Sequence, residues 1–367
     1  MEQLITIIIP IFNGKELIQP TLSSILDQTY TNFEIIFVDD ASVDSSIKII
    51  ELHKKKDKRI RLIKTIGQGF SFARNLALKA AKGDYIMFFE VGNLMSANLL
   101  EYLIKIIEDN NCQIAMCNHF DIPEPDFYNY TVVPPKQEKE NLEILDSKKY
   151  LDYLSTRDMH TFAKITSIWN KLIKKSIIKN INFNEEKYYG DKFAIFDLFK
   201  EPIKIVSSNQ ILIGNGLIDE HFTKRCFAYH NLEEIEFLQK TLLYFKNSKN
   251  SIGIKNTSLK LLQLLYDIRV KLDNYFTDIY DLEEQKQNIN QKFSSIRKFL
   301  ITHYPEESEI CDKISTKYKK LLDDENFRKK YYFLFPSMPI KFQPFDLPYI
   351  AAEKFKKEHH LRDIAPK

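Results

Sequence analysis

The chain has 367 residues, 53 of them Lys or Arg and 50 Asp or Glu, and 44% of its residues are hydrophobic. This length predicts one large α/β domain and an appended domain. The near balance of charge argues against a general nucleic-acid-binding protein, which usually carries a strong basic excess. No apolar run approaches the roughly 20 residues that span a bilayer, and the N-terminus lacks the basic start of a signal peptide.

The cysteine pattern predicts the redox compartment. Cys112, Cys117, Cys226 and Cys311 form no CxxC pair and have no spacing typical of metal ligands. We therefore expect reduced, mostly buried thiols. With the missing signal peptide, this predicts a cytoplasmic protein, either free or held at the inner face of the plasma membrane.

The first 120 residues alternate predicted strands and helices. Residues 5–9 are a β-branched run that ends at Pro10, as expected of a strand buried on both faces. Such alternation predicts an α/β fold with a mostly parallel sheet, whose ligands bind beyond the carboxyl ends of the strands. Asp39, Asp40 and Glu90 stand at such ends, so we expect one crevice to collect them. The other predicted elements are helices at 17–26, 45–54, 71–81 and 97–108 and strands at 33–38, 59–64, 85–89 and 113–118.

The later part of the chain changes character twice. Residues 123–140, rich in proline, charge and tyrosine, predict a long loop, and residues 146–216 predict short helices followed by a strand. Beyond Asn231, apolar residues recur at helical spacing. We therefore predict an α/β domain at 1–225 and a helical C-terminal domain at 226–367.

Four segments occur in a recognisable order. The chain is similar in this combination to glycosyltransferase family 2, inverting enzymes of the GT-A fold that use nucleotide-sugars. The resemblance covers roughly residues 3–230 and implies a nucleotide-binding half at 1–120 and an acceptor half at 121–225. The segments are ITIIIPIFN at 5–13, FEIIFVDDASVDSS at 33–46, FSFARNLALKAAKGDYIMFFE at 70–90, and WNKLIKKSIIKN at 169–180 with YYGDKFAIFDLF at 188–199.

The first two segments suit a nucleotide. Pro10 closes the first strand, Phe12 and Asn13 follow on the loop, and all three are predicted to bind the nucleotide. The Phe12 ring can stack on a base for about 1–3 kcal/mol; the alternative is an aromatic at the edge of the core. A carboxylate at the end of the second strand can accept a hydrogen bond from the imide N–H of uracil. The resemblance assigns this role chiefly to Asp40, beside Asp39, and implies a UDP-type donor. The alternative is that both acids cap the next helix.

The third segment suits the sugar diphosphate. Arg74, inward on a helix, can reach base or phosphate, or can form a structural salt bridge. At residues 90–93 the family usually has Asp-x-Asp and a further Asp, which hold Mg²⁺ or Mn²⁺. Here Glu90 can still bind a metal, Gly92 has no side chain and opens space, and Asn93 offers a neutral carbonyl. Weak metal binding through Glu90, catalysis without metal, and binding without catalysis stay open.

The fourth segment suits the acceptor. The resemblance makes Asp191 the base that deprotonates the acceptor hydroxyl, with Gly190 turning the chain; the alternative is a helix N-cap. It also implies that Trp169 and Asn170 line the acceptor pocket. His221 is predicted near the diphosphate, with a surface histidine on a linker as the alternative.

The tail combines cations with aromatic residues. The sequence FRKKYYFLFPSMPIKFQPF at 327–345 resembles an interfacial membrane anchor; the alternative is helices that pack on the catalytic domain or on a second subunit, giving a homodimer.

The predicted function is sugar transfer with inversion from a nucleotide-sugar to a glycan or lipid-linked acceptor, in bacterial surface polysaccharide synthesis such as that of capsule or lipopolysaccharide. One alternative is a catalytically reduced domain that scaffolds a partner enzyme. Another is a phosphosugar or polyol-phosphate transferase.

Overall fold

The computed structural model describes six stretches of the chain. Within them the protein forms two compact units, an α/β unit and a helical unit. The α/β unit comprises residues 3–153 and 159–217, and the helical unit comprises 154–158 and 230–323. The described stretches are 3–123, 139–179, 181–187, 190–217, 230–274 and 282–323.

The α/β unit has the predicted alternation of strands and helices in its first 120 residues. Its second part is less regular, because short helices separate three further strands. In chain order the elements are β1 Ile5–Ile11, α1 Lys15–Leu26, β2 Phe33–Asp39, α2 Ser46–Lys56, β3 Ile60–Lys64, α3 Phe70–Ala80, β4 Tyr85–Phe88, β5 Asn93–Met95, α4 Leu99–Asn110, β6 Ile114–Pro123, β7 Leu142–Asp146, α5 Ser147–Asp152, α6 Met159–Thr166, β8 Lys171–Lys174, α7 Lys175–Ile178, α8 Gly190–Leu198 and β9 Lys204–Leu217.

The nine strands of the described residues form one sheet in the order β3-β2-β1-β4-β8-β6-β9-β5, with β7 also paired to β9. Strands β1 to β4 are mutually parallel. Strand β8 runs antiparallel to both β4 and β6, so β6 has the direction of β4. The carboxyl ends of β1, β2, β4 and β6 therefore meet at one edge of the sheet, where ligands of such sheets bind. The predicted α/β fold is confirmed.

Strand β1 is longer than predicted. It continues through Pro10, which lies opposite Val38, to Ile11, whose carbonyl accepts from the amide of Asp40 at 2.8 Å. Pro10 has the same parity as Ile8, whose carbonyl faces β4 and accepts from the amide of Phe89. Strand β4 has ended at the level of Pro10, so the missing N–H of this proline leaves no carbonyl of β4 unpaired.

The core lies on both faces of the parallel half of the sheet. All seven residues of β1 and all seven of β2 are buried, which explains the apolar runs at 7–9 and 35–38. Helices α1 and α4 cover one face with apolar stripes, among them Ile18, Leu22 and Leu103. Each such side chain contributes about 1.5–3 kcal/mol when it is fully buried.

The helical unit consists of α9 His230–Asn247, α10 Ser251–Asn274, α11 Leu282–His303 and α12 Ser308–Asp323, so the predicted helical C-terminal region is confirmed. Helices α9 and α10 approach closely at Gly253, where an added Cβ would lie 2.3 Å from the ring of Phe245. None of the helices in the described stretches is both long and apolar enough to span a membrane. The predicted anchor at 327–345 lies outside the described residues, as does most of the predicted loop at 123–140.

Candidate active site

Asp40, at the end of β2, holds a neighbouring loop. Its side chain is fully buried. One carboxylate oxygen accepts from the hydroxyl of Thr65 and from the amide of Gln68 at 2.8 Å, and the other accepts from the amide of Gly69 at 2.7 Å. The loop after β3 passes through positive φ angles of 84° at Gly67 and 94° at Gly69, which suit glycine. Both oxygens of Asp40 are thus engaged within the protein, which argues against the base-binding role predicted for it.

Asp39 keeps an unused acceptor. Its Oδ2 accepts from the amide of Ser42 at 3.2 Å, whereas its Oδ1 is buried and has no partner among the described residues. Burial raises the pKa of the Asp39 carboxyl; the bonds from Ser42 oppose this rise, and the charges of Asp40 and Asp44 add to it. Among the two acids, Asp39 is therefore the one with hydrogen-bonding capacity left for a ligand.

The loops after β1 and β2 brace each other. Asn13, at a positive φ of 52°, donates its amide to the hydroxyl of Ser42 at 2.9 Å and accepts from the amide of Val43 at 2.9 Å. Asn13 therefore has a structural role beside its predicted binding role. Its neighbour Phe12 is half-buried. The amide of Ser46, the first residue of α2, donates to Asp44 at 2.8 Å, so neither Asp39 nor Asp40 caps this helix.

The stretch after β4 is a tight turn. The amide of Asn93 donates to the carbonyl of Glu90 at 3.1 Å, and Gly92 has a φ of 99°. A positive φ at the third residue of a turn selects glycine. The backbone conformation therefore explains Gly92. The prediction from sequence was different, namely that Gly92 opens space for a donor. Asn93 is buried in β5, opposite Asn215, so it does not present its carbonyl to a ligand in the cleft.

Glu90 forms an ion pair with Arg74. The distance between Arg74 Nη2 and Glu90 Oε1 is 3.0 Å, and the exposed side-chain fractions are 4% and 41%. Arg74 Nε is buried without a partner among the described residues. Loss of solvation raises the pKa of the Glu90 carboxyl; Arg74 opposes this, and the negative charge of Asp191 adds to it. Glu90 therefore lies partly exposed beyond the end of β4, where the negative charge of Asp191 acts on it.

Asp191 lies in the first turn of α8 and is half-buried. The preceding glycine has a different reason from the predicted turn. A Cβ on Gly190 would lie 2.2 Å from the hydroxyl of Ser71 and 2.9 Å from the carbonyl of Asn184. Gly190 is therefore needed for close approach to α3, and its φ is not positive. Helix α3 contacts the start of α8 through Ser71 and contacts Glu90 through Arg74, and the roles predicted for Asp191 and Glu90 stay predictions.

The residues predicted for the acceptor are mostly buried. Trp169 is 8% exposed and belongs to the main apolar core. Asn170 is fully buried, where its Nδ2 donates to the carbonyl of Lys164 at 3.1 Å and its Oδ1 accepts from Lys171 Nζ at 2.7 Å. Since its amide group is engaged inside the protein, Asn170 has a packing role and not the predicted contact with an acceptor. His221 lies outside the described residues.

The sequence did not predict the buried His119, which lies in β6. The ring of His119 stacks on His160 at 4.5 Å and meets Trp169 edge-on at 4.9 Å. Burial lowers the pKa of His119 to about 4, so this imidazole is neutral at pH 7. Shifts in the pairing of β6 with β9 at residues 116–119 accompany this arrangement, and such irregularities often re-aim side chains. One histidine in a strand gives no signal in the sequence for such a cluster.

The described residues do not fit a divalent metal. Within the described stretches no three His, Cys, Asp or Glu side chains come together. Glu90 is paired with Arg74, Asn93 is buried, and Gly92 has no side chain. Mg²⁺ beside a nucleotide is usually held by one or two carboxylates, waters and substrate phosphates, and here Glu90, the carboxylate predicted for this role, is already paired with Arg74.

Comparison with known proteins places the chain in a family. The model of Glycosyl transferase family 2 matches residues 6–181. An uncharacterized glycosyltransferase of Haemophilus influenzae is 31% identical over 200 residues, which are 54% of this chain and 72% of that protein. Glycosyltransferase GlyA of Streptococcus pneumoniae is 29% identical over 60% of this chain, and the match spans only 32% of GlyA.

A solved structure shares the fold. Staphylococcus aureus TarS in complex with UDP-GlcNAc matches with a TM-score of 0.54 and 18% identity, over 90% of this chain and 91% of that one. At this identity the likeness is one of fold. With the strand order, the acids at the strand ends and the sequence matches, the chain belongs to glycosyl transferase family 2.

Proposed function

We propose that this protein transfers a sugar, with inversion, from a UDP-type nucleotide-sugar to a hydroxyl of a glycan or lipid-linked acceptor. The observation that supports it best is that helix α3 contacts both predicted acids' positions: its Arg74 pairs with Glu90, and its Ser71 lies against Gly190, the residue before Asp191. Asp39, with its unpartnered Oδ1, ends a strand at the same edge of the sheet. Bacterial surface polysaccharide synthesis is the setting we propose.

The donor is proposed to bind across the ends of β1, β2 and β4. Asp39 Oδ1 accepts the imide N–H of the base, and Phe12 stacks on the base, while Asp40 positions the loop at 65–69. The sugar diphosphate then reaches towards Glu90. A base without this N–H would leave the buried oxygen of Asp39 unpaired, and this mismatch favours uracil.

The transfer step uses Asp191 as the general base. Its carboxylate takes the proton of the acceptor hydroxyl while the acceptor oxygen attacks the anomeric carbon from the face opposite the diphosphate. A new C–O bond forms as the bond to the diphosphate oxygen breaks, and the nucleoside diphosphate leaves. Single displacement inverts the configuration. No step here runs through a metal, since the described residues do not fit one.

The test combines ligand binding with catalysis. UDP titration with and without Mn²⁺, and consumption of UDP-sugars with and without EDTA, are measured for the wild type and for Asp191→Asn. We expect UDP to bind, and transfer to fall about 10²–10⁴-fold in the variant with unchanged UDP affinity. Asp197→Asn, an exposed acid of the same helix paired with Lys200, is the matched control and is expected to keep activity.

A second candidate is a catalytically reduced domain that binds nucleotide-sugar or glycan beside a partner enzyme. The ion pair that engages Glu90 favours it, because Arg74 already occupies the carboxylate that the sequence offers for a metal at the end of β4. UDP binding without any donor consumption, together with no effect of Asp191→Asn, would establish this candidate instead. Transfer that persists in EDTA would support catalysis without metal.

A further inference from the structure

Helix α3 carries polar side chains that contact both the turn after β4 and the segment that precedes α8. Arg74 pairs with Glu90 at the end of β4. On the same helix, Ser71 and Asn75 contact the segment at 183–190 that leads into α8. Residues four apart on a helix lie on one face, so Ser71 and Asn75 act on this segment together.

Asn75 binds the segment through its whole amide group. Its Oδ1 accepts from the amide of Phe183 at 2.8 Å, and its Nδ2 donates to the carbonyl of Phe183 and to Oε1 of Glu185, both at 2.8 Å. Asn75 is 5% exposed. Both donors and the acceptor of the side chain are therefore used, and the backbone at Phe183 is held as a neighbouring strand would hold it.

Ser71 determines how closely α8 approaches. Its hydroxyl donates to the carbonyl of Lys187 at 3.3 Å and lies where a Cβ of Gly190 would stand, at 2.2 Å. Phe183 is fully buried and packs edge-on against Phe88 of β4, with ring centroids 5.2 Å apart. The start of α8 is thereby fixed against α3 and against the strand that ends beside Glu90.

We infer that Ser71 and Asn75 are positioning residues that set Asp191 against the donor site. This inference rests on the proposed function, in which a base and a donor must be aligned for in-line attack. A displacement of about 1 Å in such a geometry costs about 10²-fold in rate. Loosening the contact of Asn75 with Phe183 therefore lowers the rate of transfer and leaves the nucleotide-binding loops, which Asn75 does not contact, unchanged.

The test is Asn75→Asp, which keeps the size of the side chain and its Oδ1 but places an oxygen opposite the Phe183 carbonyl and Glu185. We expect kcat for transfer to fall about 10–100-fold while Kd for UDP changes less than twofold. Adding Glu185→Gln supplies a donor to the new carboxylate and is expected to recover part of kcat. Asn110→Asp, whose amide bonds only within α4, is the matched control.

A second pair of variants tests the same idea if Asn75→Asp does not fold. Gly190→Ala forces α8 away from Ser71, and Ser71→Ala removes the closest of the clashing atoms. We expect kcat to fall in Gly190→Ala and to recover in part in the double variant. An unchanged kcat in Asn75→Asp, or equal losses of kcat and UDP affinity, overturns the inference. If Asp191→Asn keeps full transfer, the proposed function itself fails, which is a separate outcome.

Discussion

The ends of β2 and β4 lie at the same edge of the sheet, and each ends in acid, yet the acids have different partners. At β2, Asp40 is fully buried and engaged by Thr65, Gln68 and Gly69. At β4, Glu90 is 41% exposed and has one ion pair, with Arg74. The difference shows that an acid at a strand end is available to a ligand only as far as its oxygens lack donors from the protein.

The largest difference between the two ends is expected in stability. Asp40→Ala leaves two half-buried backbone amides and a hydroxyl without their fully buried acceptor, so we expect the free energy of unfolding to fall by about 3–5 kcal/mol. Glu90→Ala leaves the buried guanidinium of Arg74 without its ion-pair partner, and about 2 kcal/mol is expected, because solvent screens the 41% exposed Glu90 in part. Urea unfolding of both variants measures the contrast.

Equal stability of Asp40→Ala and Glu90→Ala would contradict the expected difference between the ends of β2 and β4. In that case the hydrogen bonds at Asp40 would contribute no more than a solvated ion pair. Asp40→Asn gives an independent check, because its amide keeps one acceptor and turns a donor towards the loop at 65–69. It is expected to lie between the wild type and Asp40→Ala.

The ion pair at β4 is expected to have an intermediate effect. A double-mutant cycle of Arg74→Met and Glu90→Gln isolates the coupling between the two side chains. We expect a coupling of about 2 kcal/mol, since Arg74 is buried while solvent screens Glu90 in part. A coupling near zero would mean that the 3.0 Å contact contributes nothing to stability.

The parallel half of the fold was predictable from sequence. Residues 7–9 and 35–38 are apolar because both faces of these strands are covered, and this local pattern identifies strands without any tertiary information. The placement of acids at strand ends followed from the same alternation. The domain boundary near residue 225 stays a prediction, and so do the roles of His221 and of the tail.

The partners of the acids were not predictable. Asp40 is held by residues 25 to 29 positions away in sequence, and Asn75 binds Phe183 across 108 positions. No periodicity encodes such pairs. Asn170 illustrates the same limit. The family resemblance implied that it lines the acceptor pocket, whereas the fold buries its side-chain amide beside Lys164 and Lys171.

The turn after β4 allows a finer test. Gly92→Ala puts a Cβ on a residue at a φ of 99°, which costs about 1 kcal/mol of stability. Because the turn carries Glu90, we also expect weaker donor turnover than in Ala80→Gly, which causes a loss of stability of similar size at the end of α3. Thermal unfolding and turnover, measured on the same samples, separate the two effects.

Substitution of Asp39 is expected to change the free energy of unfolding least among these variants, and the change is expected to depend on pH. Its raised pKa means that the folded protein binds the proton more tightly than the unfolded chain does, so ionisation of Asp39 weakens the fold. The protonated carboxyl of Asp39 stabilises the fold at pH values below its ordinary pKa of 3.8. This stabilisation is lost as the pH rises through the higher pKa of the folded protein. Asp39→Asn cannot ionise, so its stability relative to the wild type is expected to be higher at pH 7 than at pH 4.

UDP affinity of Asp39→Asn is expected to fall about tenfold at pH 7, because the base loses a charged acceptor. A gain of stability without a loss of UDP affinity would leave the unpaired oxygen without a role in nucleotide binding.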